Sequence, residues 1–325
     1  MLLLKDNAFI SLAILSFMVD FSKIKTIPLS QRYNKVTLND IIPLENDIPV
    51  LENKDLRELA GRVVDAYKAK KQIIVTIGAH TIKVGLSLIL IDLMKKGIIK
   101  HLAMNGATTV HDFEISYQGA TSEDVAKNIE DGTFGMADET GYFLNKAMKE
   151  GADANIGCGK AIGKKIVESD LRFVDYSILA AAYKHNVPAT VHIAIGTDII
   201  HQHPSCSGVA IGKTSYEDFK IFTDSVSKLE GGVLINIGSS VILPEVFIKS
   251  LSIVRNLGYN VRNITTANLD MIKHYRPHVN IVVRPTSLGG KGYHIIEKHE
   301  KTVPSLHKMI IEMYNSVISS HFSSI

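Results

Sequence analysis

Four ten-residue segments of this sequence collect glycines, hydroxyls and acid–base side chains directly behind apolar runs. They are TIGAHTIKVG from Thr76, AMNGATTVHD from Ala103, AIGTDIIHQH from Ala194 and NIGSSVILPE from Asn236. Glycine at such a turn lets the backbone approach a ligand, and a helix that follows offers free N–H groups suited to phosphate. Gly78 with His80, Asn105 with Gly106, and Gly238 with Ser239 and Ser240 are the candidates for such contacts. The plainer alternative is that each glycine only permits a tight strand-to-helix turn, and neither GxGxxG nor GxxxxGK[ST] is present.

Behind Asn105, the residues Thr108, His111, Asp112 and Glu114 make an unusually polar helix opening. Thr108 and Asp112 can serve as cap and dipole partner. Four such groups exceed what capping needs, so Asp112 is a candidate ribose or amine acceptor and His111 a candidate for proton transfer. The segment after Ile195 carries Thr197, Asp198, His201 and His203. If that segment is extended, His201, His203 and Asp198 present a metal-binding set; if it is helical, the rings separate. His192, alternating with apolar neighbours, reads as a core histidine. Arg284 to Tyr293 (RPTSLGGKGY) joins a cation, hydroxyls, a glycine pair and Lys291, as an anion-binding flap or a solvated loop.

These groups need a scaffold, and the apolar patterning supplies one. Asp55 to Ala69 carries helical spacing. Ile73 to Ile77, His101 to Asn105, Val191 to Ile195 and Val233 to Ile237 read as strands, with Asn260 to Ile264 and Val279 to Val283 as two more. Continuously apolar strands separated by helices predict an α/β fold: a doubly wound, mostly parallel sheet with helices on both faces, Rossmann-like. Ligands of such a sheet bind beyond the carboxyl ends of its strands, where all four glycine turns lie.

Residues 18–51, polar and holding Pro28, Pro43 and Pro49, read as an extended arm. Residues 52–325 read as one catalytic domain with a helical insertion at about 122–182. Phe9 to Val19 is apolar but too short for a bilayer and lacks a cleavage site, so residues 1–17 read as an extension and Met18 as the natural start. A formal charge of +3, with no concentrated basic run, argues against nucleic acid. Cys158 and Cys206, far apart and in no CxxC, point to a reducing cytoplasm, and an apolar run too short for a bilayer points to no membrane association.

From about Ile73 to Asn268 the order of these junctions resembles that of deoxyhypusine synthase and its relatives. Those enzymes bind NAD, take hydride from spermidine and pass an aminobutyl group through a lysine. The resemblance implies that Thr197 and Asp198 hold the cofactor ribose, and that Gly238, Ser239 and Ser240 form an NAD turn. It further implies that Asn105 to Asp112 meets the nicotinamide end and that Thr265 to Asn268, with Thr266, contacts the adenosine side. It also implies a homo-oligomer, a tetramer with sites near subunit interfaces. Two departures stand out: His203 replaces the acid that binds the polyamine, and Gly290-Lys291 lacks the tryptophan of the family's Trp-Gly-Lys nucleophile segment. The expectation is therefore an NAD-dependent enzyme that removes hydride from a small amine or alcohol, with group transfer as an optional second step and His111, Asp112, His203 and Lys291 handling protons or substrate; the alternatives are a metal-dependent enzyme centred on His201, His203 and Asp198, or a non-catalytic nucleotide-binding protein. Deoxyhypusine synthesis itself is not expected.

Overall fold

A computed structural model describes residues 19–322. The extension expected at residues 1–17, and with it the choice of Met18, lies outside the described residues.

The arm contributes β1 (Asn34–Thr37) and leads to helix α1 (Lys54–Lys68), whose N-terminus is capped by Asn53. Strand β2 (Ile73–Ile77), the single turn α2 (His80–Lys83), α3 (Ser87–Lys95) and strand β3 (His101–Asn105) follow. Helix α4 (Gly106–Gln118) starts where the Asn105 side chain accepts from the Thr108 N–H and hydroxyl. It ends at Gly119, whose φ of 73° closes a left-handed cap. Strand β4 (Ala120–Glu123) then pairs antiparallel with β1, joining the arm to the body.

The stretch expected to be helical holds α5 (Val125–Asn128), α6 (Asp138–Asp153), α7 (Cys158–Glu168) and α8 (Ile178–Lys184). Next come β5 (Ala189–His192), α9 (Gly208–Ser227), β6 (Val233–Ile237), α10 (Ile242–Asn256), β7 (Thr265–Asp270), β8 (Lys291–Ile296) and α11 (His299–Phe322).

The main sheet runs β5-β3-β2-β6-β7-β8, and every pairing in it is parallel. Counted from β2, this is the doubly wound order 3-2-1-4-5-6, with its switch point between β2 and β6. Alternate residues feed two cores. Ile73, Val75 and Ile77 pack on one face, while Ile74 and Leu234 join Phe222, Phe247 and Leu251 from α9 and α10 on the other. Burial on both faces is why these strands are apolar throughout. Among the described residues no helix is long and apolar enough to cross a membrane.

Three expected strands are displaced. The one expected at Val191 to Ile195 lies at Ala189–His192, so Ile193 to Ile195 belong to the loop that follows it. Asn260 to Ile264 precedes the real strand, which is the polar TTANLD segment, buried along its whole length. Its polar groups find partners on neighbouring strands. Thr76 Oγ1 donates to Asn236 Oδ1 at 2.8 Å, Asn236 Nδ2 donates to Asn268 Oδ1 at 2.7 Å, and Asn268 Nδ2 reaches His294 Nε2 at 3.4 Å. Each is a register partner of the next. A polar strand is tolerated inside because the ladder satisfies it. Val279 to Val283 lies in a π-helical turn, His278–Val283, and the sixth strand begins only at Lys291. A short apolar run has the same signature in a strand and in a buried helical turn.

Candidate active site

At the carboxyl ends of β3 and β5, under the arm and β4, lies a cavity of about 210 Å³. Arg32, Lys83, His111, Glu114, Ser122 and Asp198 line it. They come from the arm, the end of α2, the second turn of α4, β4 and the loop after β5. Ser122 holds a φ of 67°, in the left-handed region that side chains other than glycine seldom adopt.

His111 and Glu114 lie one helical turn apart on α4, so they share a face. His111 Nδ1 is 2.7 Å from Thr121 Oγ1, and that hydroxyl donates to Glu114 Oε2 at 2.5 Å. Glu114 also accepts from Arg32 Nη2 at 2.6 Å and from Thr140 Oγ1 at 2.9 Å. Thr121 has one proton and gives it to Glu114, so its oxygen must accept from His111. The network thus assigns the ring proton to Nδ1 and leaves a lone pair on Nε2. Burial holds the His111 pKa down to about 3, helped by the charges of Lys83 and Arg32, so the ring is neutral at pH 7.

Asp198 is buried against Gly106, where an added Cβ would stand 2.0 Å from Oδ2. Burial pushes its pKa up to about 6, against the stabilising N–H of Ala107. His201 Nδ1 accepts from the Gly196 and Asp198 N–H groups, each at 3.1 Å, which places its proton on Nε2. That Nε2 stands 3.9 Å from Asp198 Oδ2, and both atoms are buried without a hydrogen-bond partner. Buried polar atoms are normally satisfied, and these two face each other across that gap.

Other expected site residues lie elsewhere. Asp112 faces away from the cavity and caps α8, accepting from Ser177 Oγ at 2.6 Å and the Ile178 N–H at 2.7 Å. His203 packs on Gly141 and bonds Ser205 Oγ at 2.7 Å, with Nε2 3.3 Å from Asp138. Thr197, by contrast, does line the cavity beside Asp198, at its exposed rim, with its hydroxyl donating to the Ala194 carbonyl. Thr266 sits inside β7 and donates to the Ile281 carbonyl at 2.6 Å, so it is not at a strand end. Lys291 is the first residue of β8 and therefore at the amino edge of the sheet, its ammonium 5.5 Å from the Tyr293 ring centre. Among the described residues no three His, Cys, Asp or Glu side chains stand together as a metal site requires, so the His201, His203 and Asp198 alternative is not assembled.

The glycine turns of β2 and β6 meet at the switch point. A Cβ on Gly78 would come within 2.4 Å of the Gly238 carbonyl oxygen, and one on Gly238, at φ 66°, within 2.7 Å of His299. His80 stands 5.5 Å from the His299 ring, Ser239 Oγ accepts from the Leu243 N–H, and Ser240 is half-buried in the same turn. Across the loop after β5 lies a second, apolar cavity of about 320 Å³, lined by Ile195, Ile211, Tyr216, Phe219 and Val246 among others.

Reading the sequence missed Lys83, Arg32, Thr121 and Ser122. Arg32 meets Glu114 across 82 positions of chain, and nothing local signals that contact.

No protein-family model matches the sequence, and no curated protein matches it. Solved structures do. A provisionally assigned LOR/SDH protein of Methanococcus maripaludis S2 matches with a TM-score of 0.51 at 15% identity, over 84% of this chain and 74% of that one. The ternary complex of AgrE with ornithine and NAD+ matches with a TM-score of 0.50 at 12% identity, over 84% of this chain and 35% of that one. A provisionally assigned deoxyhypusine synthase from Entamoeba histolytica aligns at 0.49, with 10% identity over 81% and 91% of the two chains. The chain spans about a third of the length of AgrE and of the cyanobacterial arginine dihydrolase ArgZ. At these identities the likeness is one of fold, and it rests on the first two structures.

Proposed function

We propose that this chain is an NAD-dependent enzyme that removes hydride from a small amine or alcohol at the cavity between β3 and β5, with transfer of the resulting group as an optional second step. The observation that carries the reading is the pairing, in one cavity, of a free imidazole lone pair on His111 with an unpartnered, buried oxygen of Asp198.

The residues fit a dinucleotide. Asp198 Oδ2, left without a partner, is an acceptor of the kind a ribose diol needs, and Gly106 makes room for the Asp198 carboxylate at the strand end. When bound, the nicotinamide supplies the hydride acceptor. His111 Nε2 takes the proton from the substrate hydroxyl or amine. Thr121 and Glu114 fix the ring through Nδ1, and the Glu114 carboxylate faces the charge that forms on it. The arm and β4 cover the cavity and limit access of water. Both cysteines are free thiols, which fits a reducing compartment such as the cytoplasm. Assembly as a homo-oligomer, implied by the family resemblance, belongs to the same reading.

Calorimetric titration of the folded chain with NAD tests the cofactor, and no binding at millimolar NAD removes the proposal. Once a substrate is found, His111→Gln should lower turnover by about 10² to 10⁴ and leave the NAD dissociation constant unchanged.

A further inference from the structure

Most charges around the cavity are already spent on one another. Glu114 holds Arg32, Thr121 and Thr140, and Glu123 accepts from the Gly135 N–H and Asn128 while lying 3.6 Å from Arg32. Lys83 is different. Among the described residues its ammonium makes no hydrogen bond and no ion pair, although the residue is half-buried and lines the same cavity wall as His111. Its ammonium is near enough to be felt at the His111 ring and at His80. The ammonium of a half-buried lysine beside a neutral base, with Glu114 and Glu123 saturated and Asp198 turned onto Gly106 and His201, is arranged to meet an anion that enters from outside.

We propose that Lys83 anchors a carboxylate, and that the substrates are small carboxylates bearing a hydroxyl or amine on a neighbouring carbon. This deepens the NAD reading and rests on it for the redox step alone. With the carboxylate on Lys83, the hydroxyl or amine reaches His111 within so small a space. The C–H bond then breaks with its electron pair leaving as hydride to the oxidised nicotinamide dinucleotide. The O–H or N–H proton goes to Nε2 of His111, and the C–O or C–N bond becomes double. A polyamine, being cationic, would meet the Lys83 charge unfavourably.

The test titrates the full chain, with and without NAD, against glycolate, L-lactate, glycine and L-alanine. Lactamide, alaninamide and putrescine are the counterparts that lack the carboxylate. The acids should bind and the amides should bind at least tenfold more weakly. Lys83→Met should weaken the acids by about ten- to hundredfold while Lys83→Arg retains part of their affinity, with NAD affinity the same in all. Equal binding of acid and amide, binding of putrescine alone, or acid binding indifferent to Lys83→Met overturns the proposal. The acid-to-amide comparison uses the unsubstituted chain, so a variant that fails to fold leaves the test standing. Acid binding without any NAD binding would sink the cofactor reading and spare this one.

Discussion

Asp198 is the residue on which the cofactor reading can be broken most directly. Loss of a charged acceptor costs about 1.5 to 3 kcal/mol, so Asp198→Asn should raise the NAD dissociation constant about ten- to hundredfold at pH 7.5. The pH dependence follows from the sign of its shift. Its folded pKa is raised from 3.8 to about 6, so its contribution to stability is present below 3.8 and lost as pH rises through 6. The same ionisation supplies the acceptor for the ribose. NAD affinity of the native chain should therefore climb between pH 5 and pH 7, while the Asn variant stays flat. Titrations at three pH values decide it, and parallel curves for the two proteins would remove Asp198 from the site.

At the scale of elements, Asp112 and Glu114 show how a helix sorts its acids. Two positions apart on α4, they point to different neighbours: Asp112 to the start of α8, Glu114 to Arg32 and Thr121. Three donors and full burial make Asp112 a cap, so Asp112→Asn should lower the melting temperature by several degrees and leave NAD binding alone. A change in NAD affinity with no loss of stability would return Asp112 to the site. Gly78 tests the switch point in the same way. A Cβ there must push into backbone at Gly238, and overpacking of this kind costs about 1 to 3 kcal/mol. Gly78→Ala should melt a few degrees lower, and an unchanged melting curve would show that the two turns separate freely.

For the whole molecule the open matter is assembly. Several large apolar side chains stand exposed on the elements around the second cavity: Ile195 at 63%, Val209 at 83% and Tyr216 at 64%. Exposed apolar groups gathered in one region commonly mark a contact with another protein. A homo-oligomer would cover them, and Val209→Lys should then shift the molar mass measured by light scattering toward the monomer. A native chain that is monomeric at micromolar concentration would end that expectation.

Strands β2, β3 and β6 could be read from the sequence to the residue, because a strand buried on both faces must be apolar and its glycine or asparagine turn marks its end. From those strands followed the parallel sheet and the carboxyl-end location of the chemistry. Strand β7 could not be read, because Asn236 and Asn268 satisfy each other only once β6 and β7 are side by side. The site divides along the same line. His111 and Asp198 announced themselves by type and position behind a strand. That Asp112 is a cap, that Lys291 stands at the opposite edge, and that Arg32, Lys83 and Thr121 converge on His111 depends on contacts between residues distant in the chain. Periodicity records which face of an element is buried; only the packed structure decides what that face meets.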